Sequence, residues 1–197
     1  MDEETYHRCV AYHEAGHAVA FYAFGIPFRR VITVEDAAAH GRTPTYRDAT
    51  WYCLDADSRP EHVALTEAWA TAFCAGAVAE ERGTGMRVYD CWELRYVPEC
   101  YDEALKLPGD PEHNVDCAFA AARDIVDRYW SAVEALAQAL APPRVMGRKE
   151  ALAIIRNALP KCLDAQAAER RALFARWSRH KQRQRRAKGL QGTSPSA

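Results

Sequence analysis

The apolar positions of the chain fall mostly at helical intervals. Between about Thr5 and Phe24, Cys9, Val10, Tyr12, Ala15, Val19 and Tyr22 recur with the period of a helix that buries one face, and Gly25 then Pro27 supply the stop. Ala15, Gly16 and Ala18 on that helix permit a close neighbour. Phe28 to Val34 contains the β-branched run Val31-Ile32-Thr33-Val34 and is expected to be a strand, with a second over Thr43 to Arg47 after Gly41. Ser58-Arg59-Pro60-Glu61 has capping-box spacing with proline in the first turn, and the helix it opens runs through Ala64, Trp69, Phe73, Ala77 and Val78 to near Gly83. Residues 86–109 hold no consistent period and are expected to form a loop or short helices. From Asp110-Pro111 one long helix is expected through Val115, Phe119, Ala122, Ile125, Val126, Tyr129, Val133 and Leu136 to Leu140, where Pro142-Pro143 ends it. A shorter helix follows over Lys149 to Leu159, and a last one over Ala165 to Arg186. The expected fold is mainly α with a small β-sheet.

Composition adds a division. With 197 residues, 49% hydrophobic and 27% charged, the chain suits one ordinary globular domain with an appendage rather than a fibrous or mainly disordered protein. The net charge of −1 conceals nine Lys or Arg against the single Glu169 in residues 169–188, which leaves 17 basic and 26 acidic residues elsewhere. The expected organisation is therefore a domain over 1–164, a basic helical tail over 165–188, and a disordered Gly/Ser/Pro-containing end over 189–197. Such a tail is expected to be solvated or to touch a second copy of the chain, in preference to binding nucleic acid. Seven scattered cysteines, an odd number without a C-x-x-C pair, suit neither a disulfide framework nor a thiolate zinc site. No stretch approaches the roughly 20 apolar residues of a membrane span, and Met1-Asp2-Glu3-Glu4 is acidic where a secretory leader is basic. A cytoplasmic protein without a membrane partner is expected.

The chemistry concentrates in Tyr12-His13-Glu14-Ala15-Gly16-His17-Ala18, an H-E-x-x-H on the first helix. Histidines at i and i+4 lie on one face about a turn apart, so both imidazoles can reach a single Zn²⁺ at about 2.0–2.1 Å. Glu14 is placed to act as general base toward a water that the metal acidifies, and then to pass the proton to a leaving amine. The competing reading is a helix carrying two surface histidines.

Ala11 to Val19, A-Y-H-E-A-G-H-A-V, resembles the opening of the zinc peptidase domain of the FtsH family of ATP-dependent proteases. Arg30-Val31-Ile32-Thr33-Val34 resembles that family's K-V-T-I strand, and His40-Gly41-Arg42-Thr43-Pro44 falls where its G-Y-T edge segment would. Ala75-Gly76-Ala77-Val78-Ala79-Glu80-Glu81 is similar to its G-G-R-A-A-E-E helix, and Val133 to Leu140 to a later V-x-x-L-A-x-x-L helix. The likeness covers about residues 6–160. It implies a zincin-like metallopeptidase domain, with a peptide or unfolded protein as substrate. The chain contains no G-x-x-x-x-G-K-[ST] phosphate loop, so the expected activity is ATP-independent and a separate ATPase is a candidate partner.

The family draws its third metal ligand from an aspartate in an N-D-L-x-x-A-T context, which corresponds here to Pro111-Glu112-His113-Asn114-Val115-Asp116-Cys117-Ala118. Ungapped matching places Asn114 at that aspartate, and a two-residue shift places Asp116 there. A carboxylate is the better zinc ligand, so Asp116 is preferred, with His113, Asp110 and Asn114 left open. Glu80 or Glu81 is expected either to hold the second ring nitrogen of His13 or His17 or to be a solvated helix end. Trp92, Tyr96 and Tyr101 are expected to pack or to shape a cleft, and a substrate strand could pair with the edge near Thr43–Arg47. The expected function is zinc-dependent endopeptidase activity. The alternatives are a non-proteolytic metal-binding or interaction domain on the same scaffold, and a nucleic-acid-associated adaptor acting through residues 169–188.

Overall fold

The structure is a computed structural model that describes residues 1–34, 60–86, 107–172 and 175, with residues 60–62 described in their backbone alone. Helix α1 spans Glu3–Phe24. Asp2 caps it by accepting from the Thr5 N–H at 2.7 Å, Glu3 and Glu4 face the positive end of the helix dipole, and Gly25 at φ 77° closes it in the left-handed conformation. Strand β1 is Arg30–Ile32, and helix α2 is Pro60–Thr84. Helices α3, Pro111–Arg128, and α4, Trp130–Leu140, follow. Strand β2, Val145–Gly147, leads directly into α5, Arg148–Ala158. Residues 161–172 are helical. The fold is mainly α with a small sheet, and among the described residues no helix is long and apolar enough to cross a membrane.

α1 sits at the centre, packed against α2 and α4, while α2 also packs against α3. Its contact with α2 is made by small residues. A Cβ on Gly16 would stand 2.4 Å from the Ala75 carbonyl oxygen and 2.6 Å from the Ala79 Cβ, so only glycine admits the observed approach. Ala15, Ala18, Ala72, Ala75 and Ala79 are all fully buried. The larger core groups lie at the flanks of this seam: Phe21 and Trp69 beyond it, and Val133, Leu136 and Leu140 on α4.

One expectation about elements is corrected, and one strand was not foreseen. The single helix foreseen from Asp110 to Leu140 is two, separated at Tyr129, whose φ of −106° and ψ of 18° leave the helical region. The apolar period passes through the break because Val126, Tyr129 and Val133 all point into the same core, so spacing alone does not reveal it. Among the described residues the partner of β1 is β2, antiparallel, with Arg30 opposite Gly147, Val31 opposite Met146 and Ile32 opposite Val145. Three residues, Val-Met-Gly, give no alternation to read. The strand expected over Thr43–Arg47, and most of the irregular stretch over 86–109, lie outside the described residues.

Residues just beyond 164, the start of the basic segment, pack against α1. Ala167 is fully buried, and a Cβ on Gly25 would stand 2.6 Å from the Arg171 backbone nitrogen. Arg170 donates to the Ala23 carbonyl at 3.0 Å, satisfying one of the terminal carbonyls of α1, and the Arg171 guanidinium lies 4.5 Å from the Tyr22 ring centroid. The Tyr22 hydroxyl donates to Asp164. The first basic residues therefore anchor the end of α1, while residues from 176 onward lie outside the described residues.

Replacing Gly16 by alanine should lower the free energy of unfolding by about 1–3 kcal/mol, the usual cost of forcing atoms into a filled interface. This loss should outweigh the gain in helix propensity, and urea denaturation of the full chain measures it; unchanged stability would mean that the helices part without cost.

Candidate metal centre

His13, Glu14 and His17 project from the middle of α1, where α2 is nearest. The His17 Nδ1 lies 2.9 Å from the Ala72 carbonyl oxygen, and the His13 Nδ1 lies 3.0 Å from Glu80 Oε2. The two Nε2 atoms face each other at 3.0 Å, with the rings nearly perpendicular at 81°. A carbonyl oxygen only accepts, so His17 Nδ1 carries the hydrogen; a carboxylate places the His13 hydrogen on Nδ1 in the same way. Each Nε2 then presents a lone pair toward the other ring. Two lone pairs directed at one another are satisfied by a shared cation or by a proton.

Burial removes the proton at neutral pH. Desolvation pulls His13 from 6.5 to about 4, and desolvation with repulsion from His13 pulls His17 to about 3, against the smaller opposing effects of the Ala72 carbonyl and the Glu80 carboxylate. The arrangement fits a metal. In a tetrahedral zinc site with ordinary Zn–N bonds the two nitrogens stand about 3.3 Å apart, so 3.0 Å requires only a small opening. The carboxylate and carbonyl behind the rings are the groups that fix tautomer and orientation in histidine–metal sites. Burial also matters for Glu14 and Glu80, which are 3% and 1% exposed. His17 approaches Phe21, its ring centroid at 6.4 Å, and Phe21, Trp69 and Phe73 enclose that side with apolar rings.

Space at the imidazole tips comes from α2. A Cβ on Gly76 would stand 2.5 Å from His17 Nε2 and 2.9 Å from His13 Nε2, so any larger residue would occupy the point where the lone pairs converge. Gly76 and Ala72 were not legible as site residues from the motif; the available signal was an isolated glycine inside an alanine-rich helix, which has a packing or functional cause more often than not.

The structure brings His13, His17 and Glu80 together, and Glu80 takes the expected place behind His13; Glu81 is exposed. It does not bring Asp116 into a group with them. Among the described residues no set of three His, Cys, Asp or Glu assembles that could hold a metal ion. Asp116 is exposed on α3, His113 is exposed with Nε2 3.6 Å from Cys117 Sγ, and Asp110 caps α3 through the Glu112 N–H. Asn114 is partly buried and donates to the Pro108 carbonyl at 3.4 Å. Trp92, Tyr96, Tyr101 and the Thr43–Arg47 edge lie outside the described residues.

Gly76→Ala should leave the chain folded, since alanine favours a helix interior, and weaken zinc binding at least ~10-fold, as for lesions in the shell around a metal site. Calorimetric zinc titration checks this; unaltered affinity would place the metal elsewhere. In chelator, stability should be full above pH 6.5 and decline as the pH falls toward 4. In that window the unfolded histidines take up protons and the folded pair, with its lowered values, does not. Urea midpoints across pH 7.5 to 4.5 should show a shallower decline in a His13→Gln/His17→Gln variant; equal slopes would contradict the buried neutral pair.

Neither protein-family models nor curated proteins give a match to this chain, so the reading of the centre rests on its own residues and their geometry.

Proposed function

We propose that the chain is a zincin-like zinc metallopeptidase that cleaves peptide bonds in a peptide or unfolded protein, as its resemblance to the FtsH-family peptidase domain implies. The observation that carries this reading is the convergence of the two Nε2 atoms at 3.0 Å on an H-E-x-x-H helix, under a glycine that keeps the point of convergence open. His13 and His17 would hold the metal, with Glu80 and the Ala72 carbonyl fixing their rings. A zinc ion there would supply Lewis acidity toward a water and a peptide carbonyl. Glu14, adjacent to His13 and shielded from solvent, would accept the proton of the attacking water and return it to the departing amine.

The third ligand of the proposed site is drawn from the start of α3 or from outside the described residues; Asp116 is the carboxylate candidate and Asn114 the more buried one. An ATPase partner would supply unfolding of structured substrates.

One observation favours a second reading. With only two of the three usual ligands grouped among the described residues, the same scaffold suits a non-proteolytic metal-binding domain. Metal analysis combined with cleavage of a quenched peptide separates the two. Wild type should bind one zinc and cleave; Glu14→Gln should keep the zinc and lose about 10²–10⁴-fold in rate, because an amide retains the shape of the side chain and cannot take the proton. His17→Ala should lose the zinc itself. Zinc binding without cleavage by the wild type would select the second reading, and full activity of Glu14→Gln would remove Glu14 from the chemistry.

A further inference from the structure

The seam between α1 and α2 leaves one degree of freedom poorly determined. At the crossing, Gly16 meets a carbonyl oxygen and a methyl group, and no large side chain interlocks there. Such a surface permits close approach but offers little resistance to sliding along the helix axes. The metal centre does not tolerate sliding by a turn, because a displacement of about 5.4 Å would carry Glu80 Oε2 beyond hydrogen-bonding reach of His13 Nδ1, now at 3.0 Å. Phe21 packs on Trp69 and Phe73 of α2 on the His17 side of the crossing, and the His13 side needs an anchor of its own.

One turn from His13 and Glu80, a layered cluster meets that need. The Tyr12 ring lies in a notch on α2 left by Gly83, where a Cβ would stand 2.4 Å from the ring. Trp130 backs Tyr12 from the opposite direction in a stacked arrangement, centroids 5.8 Å apart and planes 7° from parallel. The Arg82 guanidinium lies 4.4 Å from the Trp130 ring centroid and pairs with Asp127. Arg8 donates to the Gly83 carbonyl at 2.8 Å. Tyr12 cannot move along α2 without leaving the notch, nor leave the notch without displacing Trp130. The break at Tyr129 starts a new helix at Trp130, the residue that stacks on Tyr12.

We infer that Trp130 is a positioning residue for the metal centre: through Tyr12 and the Gly83 notch it fixes the register of α1 on α2 that places Glu80 behind His13. This rests on the metal-binding reading above for its effect on affinity, but not for its effect on the His13–Glu80 pair. A lost register frees the His13 ring, and lesions in the shell that orients metal-bound histidines cost 10–100-fold in affinity.

The test uses the full chain in two states. In the metal-free protein, nitrogen-15 NMR of the histidine rings reports whether His13 carries a slowly exchanging proton on Nδ1. With zinc added, titration gives the affinity. Trp130→Leu keeps apolar bulk without a flat face and should lose the protected Nδ1 proton and about 10-fold in zinc affinity, whereas Trp130→Phe should retain both. Arg82→Gln, which leaves the core untouched, should weaken zinc binding in the same direction by a smaller factor. If Trp130→Leu lowers only the melting temperature while the Nδ1 proton persists, the residue is merely structural and the inference is overturned. If wild type binds no zinc yet Trp130→Leu still releases the Nδ1 proton, the metal reading fails and the positioning role stands.

Discussion

The absence of a side chain at Gly16 sets the distance between α1 and α2, and the polar interior depends on that distance. His17 reaches a backbone carbonyl inside a neighbouring helix, and His13 reaches a carboxylate that is itself fully buried, because the helices touch almost backbone to backbone. With larger residues at the seam, both imidazoles would face side chains instead. The alanines of α2 serve helix propensity and proximity at once. The price is a contact with little shape, which shifts the burden of alignment onto the aromatic groups at either end of it.

Charge balance gives the seam its second role. Two carboxyl-bearing side chains, Glu14 and Glu80, are almost wholly shielded from solvent, and the histidines beside them are held neutral. In the proposed metal centre a dication between the two Nε2 atoms would add an opposite charge to this layer. The proposed metal is in this sense consistent with the electrostatics of the whole layer and not only with the two residues that would touch it.

The parts legible in the sequence were those written in local spacing. His13 and His17 stand four apart on a helix whose apolar period is plain, and the ends of α1 carry a recognisable cap and stop. Glu80 was legible only as one of two adjacent acids, since which of them faces α1 depends on helix rotation. Gly76 was hidden because its role is defined by what a neighbour would strike. The break at Tyr129 was masked by a continuous apolar face, and β2 by its brevity. Asp116 was preferred for its charge, yet a helical position two residues from the matched one turns the side chain by about 200°, and it is exposed in the structure. Long-range partnership carries no periodic signature.

The sheet, two-stranded among the described residues, has a consequence for how the chain assembles. Thr33 and Arg144, hydrogen-bonded at its end, are 111 residues apart in sequence, and an isolated pair of three-residue strands has little stability of its own. Closing so long a loop is entropically unfavourable until other contacts have shortened it. The helices on either side must therefore dock first, with α4 against α1, bringing the two strand segments within reach. The sheet would then be the last seam to form and the first to open, so that amide exchange at Val31 and Met146 would report the opening of the sheet itself, while the centre of α1 keeps its protection until global unfolding.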